Sequence, residues 1–116
     1  MMVNNLVKYD ICYVALPEPK PGSCVQGGQR PAVVVSNNMC NKHSPVISVV
    51  PVTSRDKKRL PTHVSIWGYG LNCECTVMCE QITSVDKSSI TKRIGNVSHE
   101  SVRAAIDKAL LTQFAS

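Results

Sequence analysis

Two apolar runs, each opened by a proline, most constrain what this chain can fold into: "PAVVVS" at residues 31–36 and "PVISVVPVTS" at 45–54. Both are short, continuous and bounded by turn-forming residues, which suits a buried strand. Pro31 fits the first residue of a strand, and Pro51 inside the second run predicts a bulge or an edge. "ICYVAL" (11–16), "THVSIW" (62–67), "TVMCEQI" (76–82) and "ITKRIGNV" (90–97) add further strand-length segments. Between them, "PEPKPGSCVQGGQ", "NNMCNKHS", "RDKKRLP" and "GYGLN" read as loops and turns, and "DKSSI" as a single helical turn.

The tail changes period. Val102, Ala105, Ile106, Ala109, Leu110 and Phe114 recur at helical spacing, with Lys108 opposite them. Ser98 is placed to cap that helix, and Glu100 in its first turn suits the helix dipole. Five or six short strands and one terminal amphipathic helix predict a mainly β chain, a small antiparallel barrel with a C-terminal α-helix. With 116 residues there is material for one domain, spanning 1–116.

Thirteen Lys and Arg against eight Asp and Glu leave a formal charge of +5, which favours a polyanionic partner. The N-terminus lacks the apolar stretch of a secretory signal and no segment reaches membrane-spanning length. A cytoplasmic protein with six reduced cysteines is expected. Cys73, Cys75 and Cys79 do not follow paired zinc-knuckle spacing. Falling at odd positions, they would share one strand face as small hydrophobes, so no metal site is expected.

Catalytic motifs are scarce: there is no G-x-S-x-G, H-E-x-x-H or phosphate loop. His43, His63 and His99 have no evident sequence partners. Arg30 and Thr53 stand out because each sits at the end of a strand segment. If those strands pair antiparallel, both fall at one end of the sheet, beneath the glycine-rich loop. A guanidinium fork and a hydroxyl there suit a phosphate.

The stretches "PKPGSCVQGGQRPAVVVSNN", "SPVISVVPVTS", "LPTHVSI", "CEQITSVDKSSI" and "IGNVSHESV" resemble, in order, the MazF/PemK family of toxin ribonucleases. The match runs from about Lys8 to the final helix. It implies an SH3-like barrel of the MazF/PemK/CcdB type, a homodimer, and cleavage of single-stranded RNA without a cofactor or metal. The RNA's own 2′-hydroxyl would attack the adjacent phosphate, leaving a 2′,3′-cyclic phosphate and a 5′-hydroxyl. The family's catalytic Arg and Thr fall on Arg30 and Thr53. RNA contacts are expected at Ser23, Gln26, Gly27, Gly28, Arg55, Lys57, Lys58, His63 and Gln81, with Trp67 and Tyr69 as stacking candidates. Gly27 and Gly28 are expected to make the loop easy to displace. A cognate MazE-like antitoxin with an acidic, disordered tail is the second implied partner. The alternative is a barrel that binds RNA or a protein without cutting.

Two departures from the family pattern matter. Many relatives carry a Glu between the Ser and Gln that fall here on Ser23 and Gln26, a candidate general base. Here the segment is Gly22-Ser23-Cys24-Val25-Gln26, with no carboxylate. Tyr9 stands before Asp10 where the family usually has Gly.

Overall fold

In the computed structural model, which describes residues 3–54 and 60–115, the apolar runs become antiparallel strands. They are β1 (Asp10–Leu16), β2 (Gly28–Val34), β3 (Val46–Thr53), β4 (His63–Ile66), β5 (Cys75–Met78), β6 (Thr83–Asp86) and β7 (Ile90–Asn96). Helix α1 covers Asn38–His43 and α2 Glu100–Thr112, with 3-10 turns at Cys79–Gln81 and Lys87–Ser89. The strand order is β4-β5-β3-β2-β1-β7, and β6 also pairs with β3.

β3 is shared among three ladders. Val46–Val49 pair with β6, Val49–Pro51 with β2, and Val52 and Thr53 with β5. Pro51 falls in the gap between the β6 and β5 pairings, where a residue without an N–H is tolerated. The bulge or edge expected there is a junction between ladders.

Alternate residues feed two buried layers. Ile11, Val33, Val50, Val52 and Val77 point toward α2, where Ile106 and Ala109 close a helix layer. Cys12, Val14, Ala32, Val34, Ile47 and Val49 point the other way and meet Val85 and Ile90 in an inner layer. The strands β6-β3-β2-β1-β7 curl around that inner layer, and the Lys87–Ser89 turn joins their two ends. This is the barrel that the strand pattern implied. Burial on both faces explains why β2 and β3 read as unbroken apolar runs. Each fully buried side chain such as Ile106 contributes roughly 1.5–3 kcal/mol of transfer free energy.

Several local expectations are corrected. "NNMCNKHS" is not only a turn: its Asn38–His43 core is helical because the Asn37 side chain accepts the Cys40 N–H at 2.9 Å. Asn41 is buried and donates to the Ser36 carbonyl at 2.9 Å. "TVMCEQI" is strand only to Met78, after which Cys79–Gln81 tighten into a 3-10 turn. His99, not Ser98, occupies the N-cap of α2, and no side chain caps it. Phe114 lies beyond the helix, which ends at Thr112, and is 75% exposed. Ala105 is exposed as well.

The start of β1 is fastened by charge. Asp10 is buried and receives the Arg93 Nε at 3.0 Å, the Asn96 amide at 2.9 Å and the Val7 N–H at 3.0 Å. Tyr9 adopts φ +74°, the left-handed conformation that glycine takes without strain. Its hydroxyl bonds the Asp107 carboxylate at 2.7 and 2.9 Å, and Arg103 lies 4.6 Å from the ring centre. No helix among the described residues is long and apolar enough to cross a membrane.

Candidate functional site

The loop from Pro17 to Gly27 is drawn tight by close packing. A Cβ on Gly27 would lie 2.3 Å from Pro19 Cδ and 2.6 Å from the Pro17 carbonyl oxygen, so only glycine fits. Gly28 opens β2 at φ +74°. Two residues on, Arg30 donates from Nε to the Gly27 carbonyl at 2.7 Å. The contact that requires glycine therefore also aims the guanidinium. Rather than lending looseness, as the composition suggested, Gly27 is a packing point.

Further bonds hold the loop. Ser23 N–H donates to the Lys20 carbonyl at 3.0 Å, and Ser23 Oγ accepts the Val25 N–H at 3.0 Å. From the 3-10 turn after β5, the Gln81 side chain accepts the Gln26 N–H at 2.8 Å and donates to the Cys24 carbonyl at 3.1 Å. The Gln81 amide thus serves the loop backbone in this structure. Its neighbour Gln26 is buried.

A groove of about 370 Å³ opens beside the loop, lined among others by Glu18, Ser23, Cys24, Gln26, Gly27 and Arg30. Arg30 is partly buried, and among the described residues no carboxylate lies within ion-pair distance of it. Thr53 ends β3 and is buried. Ala32 faces Pro51, so the same register carried two residues further sets Arg30 level with Thr53. Both continue the alternation of Ala32, Val34 and Val49, and so share one face of the sheet.

Other expected contacts lie elsewhere. His63 begins β4, and its Nε2 sits 2.9 Å from Glu80 Oε2, while Thr62 Oγ1 donates to Glu80 Oε1 at 3.0 Å. The ring is buried and its Nδ1 has no partner among the described residues. It lines a separate depression of about 560 Å³ with Lys108 and Thr112 of α2. Burial pushes the Glu80 carboxyl up, but the bonds from His63, its own backbone N–H and Thr62 outweigh that and lower its pKa. Arg55, Lys57 and Lys58 lie outside the described residues.

Tyr69 packs on the helix layer and its hydroxyl meets His99 Nδ1 at 3.2 Å, whereas Trp67 is 78% exposed. Cys75 and Cys79 enter the helix layer and Cys73 is exposed, with the Cys73 and Cys75 sulfurs 4.0 Å apart. Cys79 lies past the end of β5, so the three do not share a strand face. Among the described residues no three His, Cys, Asp or Glu side chains gather as metal ligands.

Glu18 is the groove residue that sequence reasoning missed. It is the only acidic residue between Asp10 and Asp56, a signal visible in the sequence but hidden by the prolines around it.

Residues 8–114 match the family described as PemK-like, MazF-like toxin of type II toxin–antitoxin systems. The chain is also 36% identical over 108 residues to the Endoribonuclease EndoA of Bacillus subtilis, covering 90% of this chain and 91% of that protein. This chain is a member of the MazF/PemK toxin family. The fold of this MazF/PemK toxin agrees with solved structures. MazF from Deinococcus radiodurans superposes with a TM-score of 0.76 at 22% identity, covering 94% of this chain and 96% of that one. A mycobacterial endoribonuclease in complex with its cognate antitoxin gives 0.75 at 22% identity, with 95% of each chain covered. At such identity these two likenesses speak for the fold alone.

Proposed function

We propose that this toxin is an endoribonuclease whose Arg30 and Thr53 act on one phosphate of single-stranded RNA. Arg30 carries the reading: its guanidinium is held at a groove wall through Nε and shares a sheet face with Thr53. A 2′-hydroxyl is already tethered beside its phosphate, so the protein need not supply a nucleophile. As O2′ bonds to phosphorus, negative charge gathers on the non-bridging oxygens, and Arg30 stabilises it. Its charge is constant across the working pH range. Thr53 is assigned a hydrogen bond to the same phosphate. The products are a 2′,3′-cyclic phosphate and a 5′-hydroxyl, and no step calls for a metal or cofactor.

Ser23, Gln26, Gly27 and Gly28 bracket the strand, and Arg55, Lys57 and Lys58 draw it in. Exposed bases of single-stranded RNA are readable on their edges by such loops. Gln81 acts through the loop it holds, and His63 through its pair with Glu80. The single domain, residues 1–116, works in the cytoplasm as a homodimer. The exposed Leu111 of α2 and Phe114 just beyond it are compatible with a subunit contact. An acidic antitoxin tail competes with RNA for the basic surface, so one set of charges serves substrate and inhibitor.

The test incubates the purified protein with a long RNA in EDTA and maps the new ends by primer extension. Discrete cuts ending in cyclic phosphate, lost at least 10²-fold in Arg30→Ala, support the reading. Intact RNA retained on the protein favours the binding alternative.

A further inference from the structure

Glu18 occupies an unusual position for a carboxylate. It lines the same groove as Arg30, yet it forms no hydrogen bond or ion pair among the described residues. Its Oε1 lies 3.7 Å from where a Gly28 Cβ would stand, two residues before Arg30 on β2. Arg30 spends its Nε on the Gly27 carbonyl instead of turning to this neighbour. An anionic side chain in a groove that must receive an anion opposes binding by simple charge repulsion. Such a group is favourable there if it takes up a proton during the reaction. The segment Gly22–Gln26, most of which also lines the groove, contains no carboxylate.

We propose that Glu18 is the proton acceptor for the attacking 2′-hydroxyl, an inference that rests on the ribonuclease reading above. The O2′–H bond breaks and its proton passes to a Glu18 carboxylate oxygen. The O2′–P bond forms and the P–O5′ bond breaks, with the bonding pair leaving on O5′. That oxygen takes a proton from water, and the Glu18 carboxyl returns its proton to the solvent, so the net reaction neither consumes nor releases one. The titratable groups lining the groove with Glu18 are Arg30 on β2 and the Cys24 thiol in the loop. Lys20 stands two residues along the same loop, exposed.

The experiment measures single-site cleavage of an RNA oligonucleotide by the full chain across pH, for wild type, Glu18→Gln, Glu18→Asp and Cys24→Ser. Glu18 is exposed, so its variants keep the fold, which circular dichroism verifies. Expected is a fall of about 10²-fold in kcat for Glu18→Gln, with KM lowered rather than raised because the repelling charge is gone. The loss of rate on acidification, present in wild type and Cys24→Ser, is abolished in Glu18→Gln and partly kept in Glu18→Asp. Wild-type rate, a faster rate, or an unchanged acidic limb in Glu18→Gln overturns the assignment alone. Intact RNA with the wild-type protein overturns the ribonuclease reading and this assignment with it.

Discussion

The side-chain carbonyl of Gln81 accepts the backbone N–H of Gln26 at 2.8 Å, joining positions 55 residues apart in the chain. With its amide nitrogen on the Cys24 carbonyl, Gln81 spans the part of the loop that forms one wall of the groove. Gln81→Ala removes both bonds, each worth about 0.5–1.5 kcal/mol. Amide exchange at Gln26 should accelerate at least tenfold, and kcat/KM for RNA should fall by about 10-fold or more as the wall shifts. Unchanged exchange at Gln26 in the variant would show that the loop is held by other means.

Tyr9 offers a separate test of backbone strain. Its φ of +74° costs a side-chain-bearing residue about 1–2 kcal/mol relative to glycine. Tyr9→Ala loses the ring and the Asp107 bond but keeps that strain, whereas Tyr9→Gly loses the same contacts and relieves it. Tyr9→Gly should therefore unfold at higher denaturant concentration than Tyr9→Ala, reversing the usual order of these substitutions. Tyr9→Phe, which loses only the hydroxyl, should cost about 0.5–1.5 kcal/mol. Equal midpoints for the Gly and Ala variants would contradict the left-handed assignment.

Acid stability should depend on Glu80. Its folded pKa lies below the ordinary value of 4.5, so the folded state binds its proton less readily than the unfolded chain does. The stabilisation is complete above about 4.5 and is lost as pH falls through the lower folded value. Glu80→Gln should flatten that portion of the curve of unfolding free energy against pH. Denaturant titrations between neutral pH and pH 3 measure it, and an identical acid slope in both proteins would exclude the pairing with His63 as its source.

Thiol chemistry should divide the six cysteines into two groups. Burial pushes Cys12 and Cys75 up to about 11 and Cys79 up to about 12. Those three should resist iodoacetamide at pH 8, while exposed Cys24 and Cys73 react quickly and half-buried Cys40 more slowly. Peptide mass spectrometry of the folded and denatured protein reads the pattern directly. Early modification of Cys12 or Cys79 would mean that the layers open far more readily than their packing implies.

Much of this was legible before any coordinates. Continuous apolar runs disclosed β2 and β3, helical spacing disclosed α2, and the strand ends drew attention to Arg30 and Thr53. Features made by tertiary contact were not. β6, only four residues of "TSVD", carries too little periodicity to read, and its strand character comes from pairing with β3. Asn41 can be buried in α1 because Ser36 satisfies its amide, accepting at its carbonyl and donating from its hydroxyl. Gly95 reads as punctuation, yet its role is to let the backbone of Tyr69 approach, since a Cβ there would lie 2.0 Å from the Tyr69 oxygen. Tyr9 hides the left-handed turn that a glycine would have advertised. Glu18 escaped because its place beside Arg30 depends on Gly27 docking against Pro19.

That docking has a consequence for how such a chain can diversify. Pro19 and Gly27 act as a clasp, and between them Lys20 to Val25 are exposed while Gln26 is buried. Lengthening or rewriting this exposed cassette alters what is presented to an incoming strand while the clasp keeps the guanidinium where it is. Under the proposed reading, target choice can drift by insertion and substitution within a few residues while Arg30 keeps its place.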